Sequence, residues 1–169
     1  MSLPDTHLPG SRIEVDLQRL AHNIRALNGL TPDHTRFMAV VKANAYGHGA
    51  VQVARTALEN GADFLGVARI SEAVQLRKAN ILAPILLFGD LPFDHMDYVS
   101  THDIRVTITH MDTAQKASAM AQTSGLTLKA HIKVDTGMGR LGFVIGGPDP
   151  NLDKVAGQIR DIQKLPGIE

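Results

Sequence analysis

The feature that most constrains this chain is a rhythm. Short apolar runs alternate with amphipathic helical patterns from residue 36 onward. Runs at 36–42, 64–67, 85–87, 105–108 and 126–134 read as strands. The segments 49–60, 71–79, about 93–101 and 112–125 read as helices, and Leu152, Val155, Ala156, Ile159 and Ile162 mark another. Each unit takes about 20 to 25 residues, which suits a helical crossover between parallel strands rather than a hairpin. Such crossovers are right-handed, so successive units wind one way. The pattern predicts an α/β fold of the TIM-type (β/α) barrel class. A closed barrel takes roughly 250 residues, whereas this chain has 169. We therefore expect a partial barrel over residues 12–169, with about five to five and a half units.

Local signals set the boundaries. Residues 1–11 are a polar, proline-containing lead without periodicity, read as mobile. Residues 12–16 alternate like a short strand, and Asp16 is placed to cap the next helix. Leu17, Leu20, Ile24 and Leu27 form its apolar stripe, and residues 31–33 end it. Gly61 and Gly125 read as helix stops, and Asn80 as a left-handed stop. Ser71 reads as a cap, and Asp112 with Gln115 as a capping box. Residues 165–169 read as the turn into a further strand.

Composition excludes several classes. Lysine plus arginine balance aspartate plus glutamate at 17 each, so there is no electrostatic footprint for nucleic acid or an anionic membrane. Aromatics at 4% do not furnish stacking platforms for single strands. Without cysteine there is no disulfide or zinc-thiolate chemistry, and no histidine pair has helical metal-ligand spacing, so no metal is expected. No apolar stretch matches a bilayer span and no secretory core region is present, so a cytoplasmic protein is the expectation.

Two blocks carry chemistry. In the first, the apolar run from Phe37 to Val41 ends in Lys42, and Ala43-Asn44-Ala45-Tyr46-Gly47-His48-Gly49 follows. An amine at the carboxyl end of a parallel strand faces the space where ligands sit in α/β folds. Apolar walls make its neutral, nucleophilic form more accessible, and such an amine can form a Schiff base with a carbonyl compound. The alternative is a snorkelling surface lysine. His48 reads as a loop histidine bonded to backbone, and His131 as a core or rim residue within its strand.

The second block runs from Ala130 to Gly142, with Lys133, Asp135 and Arg140 among its glycines. Gly137-x-Gly139-x-x-Gly142 imitates a dinucleotide fingerprint. We reject that reading. The third glycine opens no helix, Asp161 sits on a helix rather than at a strand end, and the strand is the fifth. The glycines instead allow a tight turn that aims Arg140 over the strand ends. Its planar fork suits a carboxylate or a phenolic oxygen. The alternative is a loop cap or a pair with Asp135.

Both blocks closely resemble segments of the alanine racemases, in the expected order, and the resemblance runs over nearly the whole of residues 12–169. It implies interconversion of L- and D-alanine on pyridoxal 5'-phosphate, with a place in D-alanine and cell-wall precursor supply. By it, Lys42 would carry the cofactor as a Schiff base and serve as one of two acid/base residues. Tyr46 would contact the cofactor phosphate. Arg140 would reach the substrate carboxylate and the cofactor's ring oxygen. Lys133 falls where many members carry a carbamylated lysine that orients this arginine. Family members continue into the rest of the barrel and a β-rich C-terminal domain, which is expected to be absent here. That domain supplies the second acid/base residue from the partner of a dimer. The expectation is an N-terminal fragment that is inactive alone and that self-associates through exposed strand edges or the family dimer interface. Competing readings are a related barrel racemase or cofactor-homeostasis protein, and a non-catalytic binding or assembly module.

Overall fold

The computed structural model describes residues 13–32, 34–146 and 152–169. The lead at 1–11, and the contributions of Arg12 and Asp33 to the expected strand and stop, lie outside the described residues. The elements are α1 (Leu17–Asn28), β1 (Met38–Val40), a helical turn α2 (Lys42–Tyr46), α3 (Ala50–Glu59), β2 (Phe64–Val67), α4 (Ile70–Lys78) and β3 (Ile85–Leu87). There follow a 3-10 turn (Phe93–His95), α5 (Met96–Thr101), β4 (Ile104–Ile108), α6 (Met111–Ser124), β5 (Ala130–Ile132), β6 (Val134–Asp135), β7 (Phe143–Val144) and α7 (Leu152–Ile162).

β1 to β5 form one sheet in sequential order, and every neighbouring pair is parallel. Sequential parallel order means that each crossover advances the sheet by one strand in the same direction. That is barrel winding, and the fold is a partial barrel as the rhythm predicts. β2 and β3 are buried along their whole length, whereas the margin strands β1 and β5 are half-exposed.

The outer face meets the helices. Leu65, Val67, Ile85, Leu87, Val106 and Ile108 pack there with Ala54, Ala73, Ala114, Ala117 and Ala121, all at 1% exposure or less. Alanines on the helices let the backbone lie close to the sheet. The inner face carries Val40, Gly66, Leu86 and Arg105 in register. A Cβ on Gly66 would stand 2.6 Å from the Phe88 ring and 3.2 Å from Met38 Sδ, so these two side chains fill that layer. The Arg105 guanidinium lies 4.7 Å from the centre of the Phe64 ring.

Several boundaries differ from the sequence reading. Residues 13–16 form no strand, because no neighbouring edge among the described residues pairs with them. Asp16 does cap α1, its Oδ1 accepting from the Gln18 and Arg19 N–H groups at 3.0 Å each. Of the predicted stripe only Ile24 is buried, while Leu27 is 54% exposed. The reason is that α1 rests mainly on α3, with Ala39 of the margin strand β1 in the same cluster as Ile24. α4 starts at Ile70, so Ser71 is inside it and Glu72 supplies the polar contacts at its start. α6 starts at Met111, which puts Asp112 in the first turn; a negative charge there still suits the helix dipole. The expected strand at 126–134 breaks at Lys133. Its N–H still donates to Ile108 O, but Val134–Asp135 leave the sheet to pair with β7, a strand the sequence reading missed. After α7, Ile168 bridges in parallel to Leu128, beside β5, as the turn at 165–169 suggests.

Candidate active site

The β1 ladder runs one residue past the strand, with the Val41 N–H donating to Gly66 O at 2.8 Å. Val41 is fully buried on the helix side, so alternation puts Lys42 on the inner side with Met38 and Val40. Lys42 is half-buried. Its Nζ lies 5.8 Å from the centre of the Tyr46 ring, which is itself 63% exposed.

The chain then turns left-handed for four residues. φ is 51° at Ala43, 54° at Asn44, 52° at Ala45 and 54° at Tyr46. Left-handed backbone costs an L-residue roughly 1–2 kcal/mol, and single residues, not runs, are the rule. Such a run persists only where its surroundings over-determine it. Here the Ala43 N–H donates to Glu72 Oε1 at 2.7 Å and the Ala45 N–H to Val41 O at 2.9 Å. Asn44 Oδ1 accepts from the Ala50 N–H at 2.8 Å and so caps α3. His48 Nδ1 is 2.9 Å from Ala45 O, the backbone-bonded role expected of it.

The second loop follows β6. Asp135 is only 3% exposed. Its Oδ1 accepts from the Gly137 and Gly139 N–H groups at 3.0 and 3.2 Å, and its Oδ2 from the Arg140 N–H at 3.0 Å. The Gly137 N–H above all, then that of Gly139, holds this carboxyl below its ordinary value, against the opposing effect of burial. Asp135 thus binds Arg140 through its backbone, and the Arg140 side chain is exposed. Gly142 has φ 112°, and a Cβ there would stand 2.5 Å from Lys133 O. The glycines serve a tight turn, as read from the sequence, and Gly142 adds a close approach to Lys133 that the sequence reading did not give. Lys133 is half-buried beside this loop. His131, also half-buried, is pushed below the ordinary histidine value by burial and then by the nearby Arg105 charge.

The structure thus brings Lys42 and Tyr46 together, and packs Lys133 against the loop that carries Arg140. The two groups stand at the same carboxyl edge but on opposite margins, β1 and β5, of the five-stranded sheet. At the usual strand spacing that is roughly 19 Å along the sheet. Sequence reasoning missed Glu72 and Asn44 as organisers of the first loop. An acid three residues into a helix that follows a strand was the available signal for Glu72.

Residues 15–168 match the family model described as alanine racemase, N-terminal domain. The chain belongs to this family. It is 47% identical to the alanine racemase of Desulforamulus reducens over 77% of its own length and 35% of the relative's. It is 38% identical to alanine racemase 2 of Caldanaerobacter subterraneus subsp. tengcongensis over 94% of its length and 39% of the relative's. Among solved structures, alanine racemase of Bacillus anthracis with bound L-Ala-P superposes with a TM-score of 0.79 at 35% identity, covering 92% of this chain and 38% of that one. Alanine racemase of Clostridium difficile 630 in complex with cycloserine gives 0.77 at 32% identity, covering 92% and 40%. The chain therefore spans 35–40% of the length of these relatives. Among the described residues, no group of three or more histidines, cysteines or carboxylates could hold a metal, and no helix is long and apolar enough to cross a membrane.

Proposed function

We propose that this chain supplies the lysine side of the active site of a cytoplasmic, pyridoxal-phosphate-dependent alanine racemase, as the N-terminal portion of a (β/α)8 barrel domain. One observation carries the reading. Lys42 stands half-buried at the carboxyl edge of a parallel barrel sheet, beside Tyr46 and ahead of a turn locked into left-handed backbone.

The donor set fits the cofactor: an amine for its aldehyde, a phenol for its phosphate and a guanidinium for its ring oxygen. Gly47, Gly49, Gly137 and Gly139 also leave room, since a Cβ on any of them would meet nothing within 4 Å. Bound pyridoxal phosphate acts as an electron sink that acidifies the α-carbon of an amino acid. Lys42 Nζ then holds or delivers a proton on one face of that carbon. Tyr46 binds the phosphate, and Arg140 orients the substrate carboxylate through a paired hydrogen bond. Lys133, half-buried against the loop that carries Arg140, stands for the family's carbamylated lysine, and a carbamate there would attract an arginine that an ammonium would repel. Racemisation needs an acid/base group on each face, and Lys42 serves one. The chain alone is therefore proposed to lack turnover and, with the margin strand β1 half-exposed, to self-associate through that edge.

The test is to add pyridoxal phosphate, reduce with borohydride and map the modified residue by mass spectrometry. Stoichiometric label on Lys42 alone is expected. Scattered label, or none, refutes the reading for this chain and favours a non-catalytic module.

A further inference from the structure

We propose that Glu72 is the positioning residue of the Lys42 amine, a role that rests on Lys42 being the cofactor lysine. One carboxylate gathers three backbone N–H groups from two loops. Oε1 accepts from Ala43, directly after Lys42, at 2.7 Å. Oε2 accepts from Ala68 and Arg69, directly after β2, at 2.8 and 3.0 Å. The loops that leave two adjacent parallel strands are thereby tied at one point.

The tie acts on the lysine through the peptide plane. The plane joining Lys42 to Ala43 contains both the Lys42 carbonyl and the Ala43 N–H. Fixing the direction of that N–H restrains ψ of Lys42 and, with the chain held on the other side by the Val41 N–H bond to Gly66 O, pins the α-carbon from which the side chain leaves. Ala43 is also the first of the four left-handed residues, so its orientation starts the turn.

The anchor itself is rigid. Glu72 is followed on α4 by Ala73 and Leu76, both at 0% exposure. The peptide that carries the Ala68 N–H is held from the other side, since its carbonyl, Val67 O, accepts from the Phe88 N–H at 2.8 Å. A carboxylate set on such a base, with charge-assisted bonds, transmits the geometry of β2 and α4 to the Lys42 loop. Its oxygens are engaged by amides, so the residue aims the amine without taking part in proton transfer.

Three readouts on wild type, Glu72→Ala and Glu72→Gln test this. Hydrogen exchange of the Ala43 amide reads the tie without cofactor. Acetylation of Lys42 by acetic anhydride, relative to the other lysines, reads the amine without cofactor. Borohydride trapping of pyridoxal phosphate reads the site. In Glu72→Ala, exchange at Ala43 rises about tenfold to a hundredfold. Trapping at Lys42 falls about tenfold or more, and acetylation of Lys42 shifts while the other lysines and far-UV circular dichroism stay at wild-type values. Glu72→Gln, with one acceptor oxygen left, falls between, and it replaces Glu72→Ala if that variant does not fold. Wild-type exchange and Lys42 reactivity in both variants overturn the proposal. Absence of trapping in wild type overturns the cofactor reading instead, and exchange and acetylation then decide whether Glu72 sets the amine.

Discussion

Replacing Gly142 by alanine tests how the second loop is built. Gly142 has φ 112°, outside the region L-residues readily adopt, and its α-carbon faces Lys133 so closely that an added Cβ would stand 2.5 Å from the carbonyl oxygen and 3.0 Å from the carbonyl carbon. The backbone penalty is of order 1–3 kcal/mol. The overpacking penalty against main chain is about 1–3 kcal/mol more. Together we expect a loss of about 2–6 kcal/mol. Gly139 is the control. Its φ is 70° and a Cβ there would meet nothing within 4 Å, so Gly139→Ala carries only the left-handed penalty, roughly 1–2 kcal/mol. Urea unfolding with a slope of about 2 kcal/mol/M puts the midpoint shifts at roughly 1–3 M and 0.5–1 M respectively. Local opening of the β6–β7 ladder limits how much of the loss appears globally. Exchange of the Phe143 and Ile145 amides, which donate to Lys133 O and Asp135 O, is therefore measured alongside. Equal effects of the two alanines on midpoint and exchange would refute the close-approach account.

Arg77 donates to three main-chain carbonyls, His102 at 2.8 Å, Ile81 at 2.6 Å and Asp103 at 3.2 Å. A lysine cannot reproduce that fork, so Arg77→Lys should cost about 2–3 kcal/mol and lower the melting temperature by roughly 4–12 °C in calorimetry; an unchanged melting temperature would contradict the role. The Asp135 carboxyl sits below its ordinary value because of the Gly137 and Gly139 N–H groups. Its stabilisation is present above the unfolded value of 3.8 and is lost as pH falls through the folded value. Asp135→Asn should flatten that acid limb in urea midpoints taken below about pH 5, and a limb as steep as wild type would count against it. His131 is kept neutral by burial first and by Arg105 second. The unfolded chain takes up the proton first, so stability is at its plateau above pH 6.5 and declines as pH drops from there to the lowered folded value. His131→Asn should remove that decline, read from melting temperatures across the window.

The winding of the fold was legible in the sequence because it depends on periodicity, which is local. The apolar runs at 64–67 and 85–87 coincide with β2 and β3, which are buried on both faces and so read as continuous apolar stretches. The margins were less legible. β1 and β5 are shorter than their apolar runs: β1 gives way to the left-handed turn, and after β5 the chain leaves the sheet to pair with β7. Lys42, Tyr46, Lys133 and Arg140 were legible as candidates through residue type at strand ends. The left-handed turn was not. Ala43, Asn44, Ala45 and Tyr46 carry no glycine, and one of the bonds that hold backbone of that hand comes from Glu72, 29 residues away from Ala43 in sequence. No local pattern encodes a hydrogen bond of that separation.

The two loops share one device, although they come from opposite margins of the sheet. In each, a single carboxylate is surrounded by three backbone N–H groups: Ala43, Ala68 and Arg69 around Glu72, and Gly137, Gly139 and Arg140 around Asp135. In each, a cationic residue follows or precedes one of those amides in the chain, Lys42 before Ala43 and Arg140 at its own N–H. Direct pairing of carboxylate to cation would tie up the charge itself. Binding the backbone instead fixes where the cation starts while the carboxylate's lone pairs are occupied. It also explains why glycine is required on one side and not on the other. The Asp135 loop must fold three amides onto one side chain within five residues, which takes φ of 140° and 70° at Gly137 and Gly139. Glu72 reaches amides already placed by two strands, so its loop can hold ordinary residues, at the cost of left-handed strain that the carboxylate, the Asn44 cap and the Val41 carbonyl together offset.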